Sequence, residues 1–170
     1  GAGAANAQGI TTPLTKFRYT STAGGYVVRW YKASTILRGG EFRGIGIDAN
    51  SLAAQGLWLR NTDGFRGMDF SVFNHTGYGV ILDVATSIVG SCGDGSGSNF
   101  LDNFVIWSTS GGGLQMGSAG TLKDVCSNKL GRGNITYSGL PGWHGLWIAH
   151  GDSNSFADLD IGEYGGKTVS

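Results

Sequence analysis

The sequence predicts an all-β protein that folds as a right-handed parallel β-helix, a solenoid of about five coils, and three observations predict it. Glycine occurs 32 times in 170 residues and proline twice. These glycines lack the three-residue period of collagen and therefore indicate many tight corners. Apolar residues alternate with a period of two rather than 3.6, which is typical of strands. Finally, one order of corner and strand recurs at intervals of 23 to 34 residues.

The first recurring element is a glycine followed by alternating apolar residues. It occupies Gly25–Arg29, Gly56–Arg60, Gly79–Asp83, Gly113–Gly117 and Gly145–Ala149, which are predicted to be equivalent in successive coils. The residues one and three places after the glycine are almost purely aliphatic and are predicted to face the core. The residue two places after it is predicted to face outward, in a column formed by Trp58, Ile81, Gln115 and Trp147.

The second recurring element is a strand that opens with an apolar residue. It occurs at 42–47, 65–70, 100–106, 130–135 and 156–161, each time after a residue that tolerates the left-handed conformation. Those corner residues are Gly40, Asp63, Asn99, Asn128 and Asn154. A helical interpretation fails because a glycine costs roughly 1 kcal/mol in a helix interior. The two elements together predict coils of strands separated by corners.

The chain is long enough for one domain with a buried core. We expect residues 1–9 to form a flexible leader and residues 10–170 to form a single β-helix domain, a fragment of a longer chain, because neither end resembles a cap for the solenoid. Twelve basic and twelve acidic residues give no net charge, so neither nucleic acid nor membrane is expected as a partner. No apolar run approaches the length of a membrane-spanning helix.

No cofactor or metal is expected. The sequence contains no phosphate-binding glycine loop, serine-hydrolase motif or zinc-protease motif. His75, His144 and His150 are each isolated, which is typical of structural histidines. Cys92 and Cys126 each follow a coil glycine by thirteen residues and are expected to stack as neighbours, a placement that fits a disulfide and two packed thiols equally well.

Several outward residues are candidates for binding a carbohydrate. A flat aromatic ring on an exposed sheet suits the apolar face of a sugar or a contact with another subunit, whereas partial cover by a loop needs no ligand. The candidate binding residues are Trp58, Trp107, Trp147, Arg60, Asp83 and His150. Arg60 and Asp83 hold equivalent places in adjacent coils and are also expected to form an ion pair, which in most proteins is structural.

Three outward carboxylates, Asp48, Asp69 and Asp160, are candidates for catalysis. Asp48 and Asp69 are predicted to lie on neighbouring coils with an offset of two residues, and Asp160 in the column of Asp69. Such an offset fits the separation of about 6.5–9.5 Å between the acid and the base of an inverting glycosidase. Polar side chains on an outward sheet face equally need no catalytic explanation. The same alignment makes Arg43 and Arg66 equivalent, so that two like charges would stack unless the side chains meet an anion or diverge into solvent, and divergence is the favoured outcome.

Similar coils occur at Gly40–Asn50 with Gly56–Leu59, at Asn74–Leu82 and at Asn154–Ile161. They resemble the pectate-lyase-like right-handed β-helix superfamily, most of all the β-helix domains of phage tailspikes and related polysaccharide depolymerases. The resemblance extends over about residues 10 to 165. It implies a bacterial surface polysaccharide as ligand, a homotrimer, an extracellular location on a virion tail or as a secreted protein, and acidic catalytic residues in some members.

No catalytic motif of that superfamily matches this chain residue by residue, and the chain has no acidic cluster beside an arginine of the kind expected in a pectate lyase. Two functions therefore stand side by side. The first is a tailspike-like β-helix that binds a bacterial surface polysaccharide, with cleavage of a glycosidase or lyase type if the outward carboxylates are catalytic. The alternative is a non-catalytic structural or adhesive fibre segment of a virion or cell surface, in which the same tryptophans are buried between subunits.

Overall fold

The computed structural model of the chain describes residues 15–85, 97–117 and 124–164 in full and residues 4–5 and 11–12 as backbone. These residues form a parallel β-solenoid of about five turns, which confirms the predicted all-β class. Most of the expected leader, 1–9, lies outside them. The described part of the chain contains no helix of the length and apolarity that a bilayer crossing requires.

The described residues contain strands and no helix. In chain order the strands are β1 (Ala4–Ala5), β2 (Thr11–Thr12), β3 (Thr15–Arg18), β4 (Tyr26–Tyr31), β5 (Leu37–Arg38), β6 (Glu41–Arg43), β7 (Ile45–Asp48), β8 (Gln55–Arg60), β9 (Thr62–Asp63), β10 (Arg66–Phe73), β11 (Tyr78–Asp83), β12 (Phe100–Trp107), β13 (Gly112–Met116), β14 (Val125–Cys126), β15 (Lys129–Leu130), β16 (Gly133–Tyr137), β17 (Leu146–Ile148), β18 (Gly151–Asp152), β19 (Ser155–Phe156) and β20 (Leu159–Glu163). Strands β1 and β2 pair antiparallel, and the sheets of the solenoid are parallel.

Three parallel sheets form the sides of the solenoid. The first sheet has the order β19-β15-β12-β10-β7-β3, and β6, β16 and β20 also belong to it. The second sheet has the order β17-β13-β11-β8-β4. The third side is narrow: β5 pairs with β9, β14 pairs with β18, and Gly97 bridges Asp63 to Cys126. A full coil therefore visits the first, second and third sides in turn.

The interior is filled by aliphatic columns that run along the solenoid. The second sheet contributes one column of Leu57, Val80, Leu114 and Leu146 and another of Leu59, Leu82, Met116 and Ile148. The first sheet contributes a column of Ile47, Val72, Ile106 and Ile135. All members except those of the last coil are fully buried, and each such side chain stabilises the fold by roughly 1.5–3 kcal/mol. The predicted inward positions of the second sheet are confirmed.

The coil glycines are equivalent in four of the five predicted coils. Because Leu57 stands opposite Val80 and the later coils follow the same register, the glycines that precede these residues share a column. In the first coil Val28 stands opposite Leu57, so the predicted position of Gly25 is wrong by two residues. Gly25 lies instead in the turn before β4, with φ of 86°, a conformation that glycine adopts readily.

In the later coils the glycine is required by a close approach between two sides of the solenoid. A Cβ atom on Gly113 would collide with the carbonyl oxygen of Gly145 and with Cγ2 of Ile135. The second sheet begins at a place that an inward side chain of the first sheet already fills. A residue without a side chain is therefore needed where the chain enters that sheet.

We expect Gly113→Ala to lower the free energy of unfolding by roughly 1–3 kcal/mol, the usual cost of overpacking a core. The backbone carbonyl of Gly145 cannot move aside without disturbing the pairing of its own coil. The matched control is Gly162→Ala, since nothing lies within 4 Å of a Cβ at that position. Urea unfolding followed by circular dichroism measures both variants, and equal stability of the two would contradict the close approach.

In the three later coils the left-handed corner lies one residue earlier than predicted, and in the second coil it lies one residue later, at Gly64 instead of Asp63. Of the predicted corner residues, Gly40 has a positive φ of 112°, whereas the asparagines do not appear among the left-handed residues of the described chain. The residues that precede them do. The five equivalent left-handed residues are Gly39, Gly64, Ser98, Ser127 and Ser153, with φ of 68°, 70°, 53°, 55° and 54°.

The asparagines that follow these corners form a buried ladder. Nδ2 of Asn99 donates to Oδ1 of Asn128 at 2.8 Å, and Nδ2 of Asn128 donates to Oδ1 of Asn154 at 2.9 Å. Each acceptor also receives a backbone N–H from the preceding coil, such as that of Phe65 on Oδ1 of Asn99 at 3.0 Å. Phe65 thus holds the position of the second coil that is equivalent to these asparagines. The ladder satisfies backbone groups that would otherwise be buried without a partner.

Of the residues predicted to open the strands of the first sheet, Leu130 and Phe156 stand opposite each other as predicted, whereas Phe65 and Phe100 lie out of register with Phe42. Phe42 stands opposite Gly67, and Gly67 opposite Leu101, whereas the sequence alignment paired Phe42 with Phe65. The ring of Phe42 packs against Phe65 at 5.4 Å and Phe70 at 5.0 Å between ring centres. A Cβ on Gly67 would lie 3.2 Å from that ring. Gly67 has no side chain and therefore leaves room for the ring of Phe42. An alignment of apolar residues does not recognise glycine as the equivalent of Phe42.

The corner of the third side carries a disulfide. Cys126 is fully buried and disulfide-bonded, so the disulfide is confirmed over a reduced thiol at this residue. Its carbonyl oxygen accepts a hydrogen bond from Nδ2 of Asn128 at 3.0 Å, which joins the disulfide to the asparagine ladder. Cys92 lies outside the described residues.

Candidate functional site

The outer face of the second sheet carries the predicted outward column. Trp58 stands opposite Ile81, Ile81 opposite Gln115, and Gln115 opposite Trp147, while Arg29 precedes Trp58 in the first coil. The inward neighbours of Trp58, Ile81 and Gln115 are buried in the core. The alternation of the sequence therefore placed this column correctly.

Two tyrosines of the first coil cover Trp58. The rings of Tyr26 and Tyr31 stack on the indole at 4.5 and 5.4 Å, with interplanar angles of 14° and 15°. The guanidinium of Arg29 lies 5.8 and 5.6 Å from the centres of these tyrosine rings. Trp58 is consequently only 8 % exposed, while Tyr31 is 41 % exposed. The cover comes from side chains of the neighbouring coil rather than from a loop.

A second aromatic group surrounds Trp147 in the last coils. The indole stacks on Tyr78 at 5.7 Å and on the imidazole of His144 at 6.2 Å. Trp143 meets Tyr78 edge-on at 5.3 Å. The hydroxyl of Tyr78 lies 3.2 Å from Nδ1 of His144, and burial raises the pKa of Tyr78. That hydroxyl therefore stays protonated and available as a donor.

The two groups form one surface, which we call the aromatic strip. It consists of Tyr26, Tyr31, Trp58, Tyr78, Trp143 and Trp147. Ile81 lies between the two groups and packs in the same cluster. Trp58 and Trp147 are three rungs apart, or about 14 Å at the spacing of a parallel sheet. The strip therefore follows the solenoid axis on one rigid sheet.

The predicted ion pair between Arg60 and Asp83 is confirmed at the edge of the strip. Nε of Arg60 lies 3.6 Å from Oδ2 of Asp83, and its guanidinium lies 5.2 Å from the Trp58 ring centre. Burial raises the pKa of Asp83, and the charge of Arg60 and the N–H of Val84 oppose that effect. The pair gives the aromatic strip a polar border in its first coils.

Two of the predicted binding residues lie elsewhere. Trp107 belongs to β12 in the first sheet and meets Tyr164 edge-on at 5.8 Å. His150 lies in the turn after β17, where its carbonyl accepts the N–H of Val125 at 3.3 Å. The structure thus places Trp58, Arg60, Asp83 and Trp147 on the second sheet and Trp107 on the first sheet.

Asp48 is held by four neighbours. Lys16 and Arg18 of the preceding coil each lie 3.5 Å from Oδ2. Its Oδ1 accepts the N–H of Asn50 at 2.9 Å and Nδ2 of Asn74 at 3.0 Å. Asp48 is only 3 % exposed. These contacts tie three consecutive coils together at the corner after the first sheet.

Asp69 and Asp160 are also hydrogen-bonded. Asp69 accepts Nδ2 of Asn103 and Nε of Arg43, each at 2.6 Å, and these bonds lower the pKa of Asp69. An ionised Asp69 suits a base or a nucleophile better than a general acid. The exposed Asp160 accepts Nδ2 of Asn134 at 3.0 Å.

The register separates the three carboxylates further than predicted. Asp48 stands opposite Phe73, four residues beyond Asp69, so their Cα atoms are about 13 Å apart along the strand direction alone. An offset of that size between the Cα atoms does not favour the separation of about 6.5–9.5 Å between the two carboxyl groups of an inverting glycosidase. Asp160 lies in the column of Ser71 rather than of Asp69. The cause is the shift at Gly67 described above.

The same shift removes the predicted stack of arginines. Arg66 stands opposite Glu41, and Arg43 stands opposite Met68. Arg43 also forms an ion pair with Asp69 at 2.6 Å. The two like charges therefore do not meet.

Sequence reasoning missed a groove on the outer face of the first sheet. The groove has a volume of about 620 Å³ and is lined by Gly64, Arg66, Met68, Ser98, Phe100, Ser127 and Lys129. Arg66, Phe100 and Lys129 form one outward column. The sequence does contain a signal for this groove, because Arg66, Phe100 and Lys129 each follow a left-handed corner residue by two positions. Among the described residues no group of three or more His, Cys, Asp or Glu side chains could hold a metal ion.

Comparisons of the chain with protein-family models, curated proteins and solved structures found no match. The parallel β-solenoid is compatible with the β-helix superfamily that the sequence resembles. The finer resemblance to tailspikes or pectate lyases stays a prediction.

Proposed function

We propose that this β-solenoid binds a polysaccharide along the aromatic strip of its second sheet. The observation that carries the proposal is the run of six aromatic side chains on one outer face, with Tyr31, Trp147 and His144 accessible at its surface. Aromatic faces pack well against the apolar faces of sugar rings. The pair of Arg60 and Asp83 supplies polar groups at the border, as ligand sites commonly do.

The ligand class we propose is a bacterial surface polysaccharide, and the proposed setting is an extracellular one, on a virion tail or as a secreted protein. Both come from the resemblance of the coils to tailspike domains. Binding is favoured over cleavage, because Asp48, Asp69 and Asp160 each accept structural hydrogen bonds and the register offsets Asp48 from Asp69 by four residues. A homotrimer remains part of the same proposal.

The test is binding to a panel of bacterial surface polysaccharides, measured by isothermal titration calorimetry. We expect Trp147→Ala to weaken binding at least tenfold, which corresponds to about 1.4 kcal/mol, because the variant removes a partly exposed indole from the strip. The matched control is Trp107→Ala, which removes an indole of similar exposure from the first sheet. Equal losses in the two variants would place the ligand off the strip.

The same mixtures are assayed for new reducing ends and unsaturated sugars. Products that disappear in Asp69→Asn would restore the catalytic role of that residue. A second candidate function, a non-catalytic fibre segment, is favoured by the structural contacts of the carboxylates. In that case neither the wild-type protein nor any variant binds a polysaccharide of the panel.

A further inference from the structure

The groove on the outer face of the first sheet lies in the middle coils of the solenoid. Its outward column consists of Arg66, Phe100 and Lys129 on three successive rungs. The column continues to Glu41 on one side and to Ser155 on the other, so described coils flank the groove in both directions. The Cα atoms of Arg66 and Lys129 are two rungs apart, or about 10 Å at the spacing of a parallel sheet.

The left-handed corners explain why a groove forms at this place. Gly64, Ser98 and Ser127 turn the chain with φ of 70°, 53° and 55°, and all three line the groove. The residue after each corner is buried, so the following residue is directed outward by the alternation of a strand. Small corner residues therefore lie beside the longer side chains of the outward column.

Arg66 and Lys129 are cations without a partner of opposite charge among the described residues. Both are exposed, and neither forms an ion pair, although Glu41 stands opposite Arg66. The other arginines are engaged, since Arg29 lies over two tyrosine rings and the remaining five pair with an aspartate. These five are Arg18, Arg38, Arg43, Arg60 and Arg132. The charge of Arg66 is thus free for a ligand.

The aspartates near the groove are held by other groups. Asp63 lies 3.8 Å from Nε of Arg38. Oδ2 of Asp102 lies 3.7 Å from a guanidinium nitrogen of Arg132, and Oδ1 accepts the backbone N–H of Arg132 at 2.9 Å. The described residues that line the groove include two cations and no carboxylate. The groove is therefore positively charged.

Apolar and hydroxyl groups lie between and beside the two cations. Phe100 stands on the rung between them and is partly exposed, and Met68 also lines the groove. The exposed Ser98 and Ser127 add hydroxyl groups, which both donate and accept hydrogen bonds. Apolar surface combined with a few polar groups that fix the orientation of a ligand is typical of a binding site.

We propose that this groove binds an anionic ligand with two acidic groups about 10 Å apart, one on Arg66 and one on Lys129, joined by a ring or chain that covers Phe100. Arginine binds a carboxylate or phosphate through parallel hydrogen bonds, and lysine binds it as a compact charge. Because both cations are fixed to one sheet, binding of the first acidic group holds the second close to the other cation. A dianion is therefore favoured over a monoanion.

Two sources supply this chemistry, namely the acidic sugars of a glycan and a small dicarboxylate. The corresponding probes are a trisaccharide with a glucuronate at each end and an N-acetylglucosamine between them, and octanedioate. Isothermal titration calorimetry at low salt should show each dianion that fits to bind at least tenfold more tightly than its control ligand, and binding should weaken as salt is added. The control ligands are the methyl ester of the trisaccharide and octanoate, which has the same chain and one carboxylate. Binding of one probe alone identifies the source.

Arg66→Gln and Lys129→Gln should each lower the affinity for the dianion at least tenfold. Both side chains are exposed and unpaired, so neither substitution removes a contact from the fold, and circular dichroism should show the unfolding of the wild type. The matched control is Lys32→Gln, at an exposed lysine outside the groove lining, which should bind as the wild type does.

The proposal is overturned if neither dianion binds more tightly than its control ligand, or if the two groove variants reduce the affinity no more than Lys32→Gln does. The site does not depend on the polysaccharide proposed for the aromatic strip, which lies on the second sheet. Neither groove variant alters that strip, and Trp147→Ala leaves the groove intact. Failure of one proposal is therefore distinguishable from failure of the other.

Discussion

Asn128→Ala is expected to lower the free energy of unfolding by about 3 kcal/mol, because one truncation breaks four hydrogen bonds of the asparagine ladder. Oδ1 of Asn128 accepts the backbone N–H and the Nδ2 of Asn99, at 3.2 and 2.8 Å. Its Nδ2 donates to the carbonyl of Cys126 at 3.0 Å and to Asn154 at 2.9 Å. Asn128 is fully buried, so alanine leaves these partners without access to water.

The effect should appear as a lower midpoint of urea unfolding and as a fall in Tm of about 6–12 °C for a chain of this size. The matched control is Asn134→Ala, which removes an asparagine whose side chain bonds to the exposed Asp160; we expect a change within about 0.5 kcal/mol. A loss in Asn128→Ala no larger than in the control would show that the ladder does not stabilise the corner.

This ladder also shows where sequence reasoning reached its limit. The dipeptide Ser-Asn recurs at Ser98, Ser127 and Ser153 with the asparagine following each time. Propensity alone favours the asparagine as the left-handed residue, and the structure assigns that conformation to the serine. The asparagine is needed inside, where its amide can donate and accept at once. Propensity describes one residue, whereas the ladder depends on stacking of equivalent residues.

The second sheet was predictable because its later coils repeat the same pattern of a glycine followed by alternating inward and outward residues. Inward Leu57 and Leu59 have apolar equivalents in each later coil. Alignment of one coil with the next therefore shows which residues face inward. The first sheet was predicted with a shift because Gly67 takes an inward place that Phe42 fills from the neighbouring coil. At this place the side chain of one coil fills the space that the glycine of the next coil leaves empty. An alignment that compares single residues does not detect such an exchange.

The candidate site was predictable in part for the same reason. Trp58 and Trp147 lie in the regular sheet, so alternation placed both on its outer face. Their burial depends on Tyr26, Tyr31 and Tyr78, which reach across from adjacent positions. The predicted columns began at the second coil and did not include Tyr26, whose ring stacks on the outer face. Side-chain cover between coils therefore required the structure.

His75 should make the stability of the fold fall as pH decreases from 6.5 towards 4. Its imidazole is fully buried, and Nε2 donates to the carbonyl of Gly112 at 2.7 Å. Nδ1 is buried and has no hydrogen-bond partner among the described residues. Burial lowers the pKa of His75 from 6.5 to about 4, against a smaller opposing effect of the Gly112 carbonyl. The ring is therefore neutral in the folded protein.

In the unfolded chain the pKa of His75 returns to 6.5. Between pH 6.5 and 4 the unfolded state then binds a proton that the folded state does not, so stability rises with pH in this window. The stabilisation is fully present above pH 6.5 and is lost as pH falls, to a total of roughly 3 kcal/mol at pH 4. Above pH 6.5 His75 contributes no pH dependence.

Urea unfolding of the wild-type protein at pH 7.5, 6, 5 and 4.5 measures this slope. His75→Gln retains a donor for the Gly112 carbonyl and does not titrate, so its slope should be shallower by about the contribution of one proton. If His75→Gln fails to fold, nitrogen NMR of the wild-type protein provides the second measurement. Protonation of His75 near pH 6.5 in the folded protein would contradict the prediction. A fully buried imidazole should take up a proton at that pH only in molecules that unfold locally.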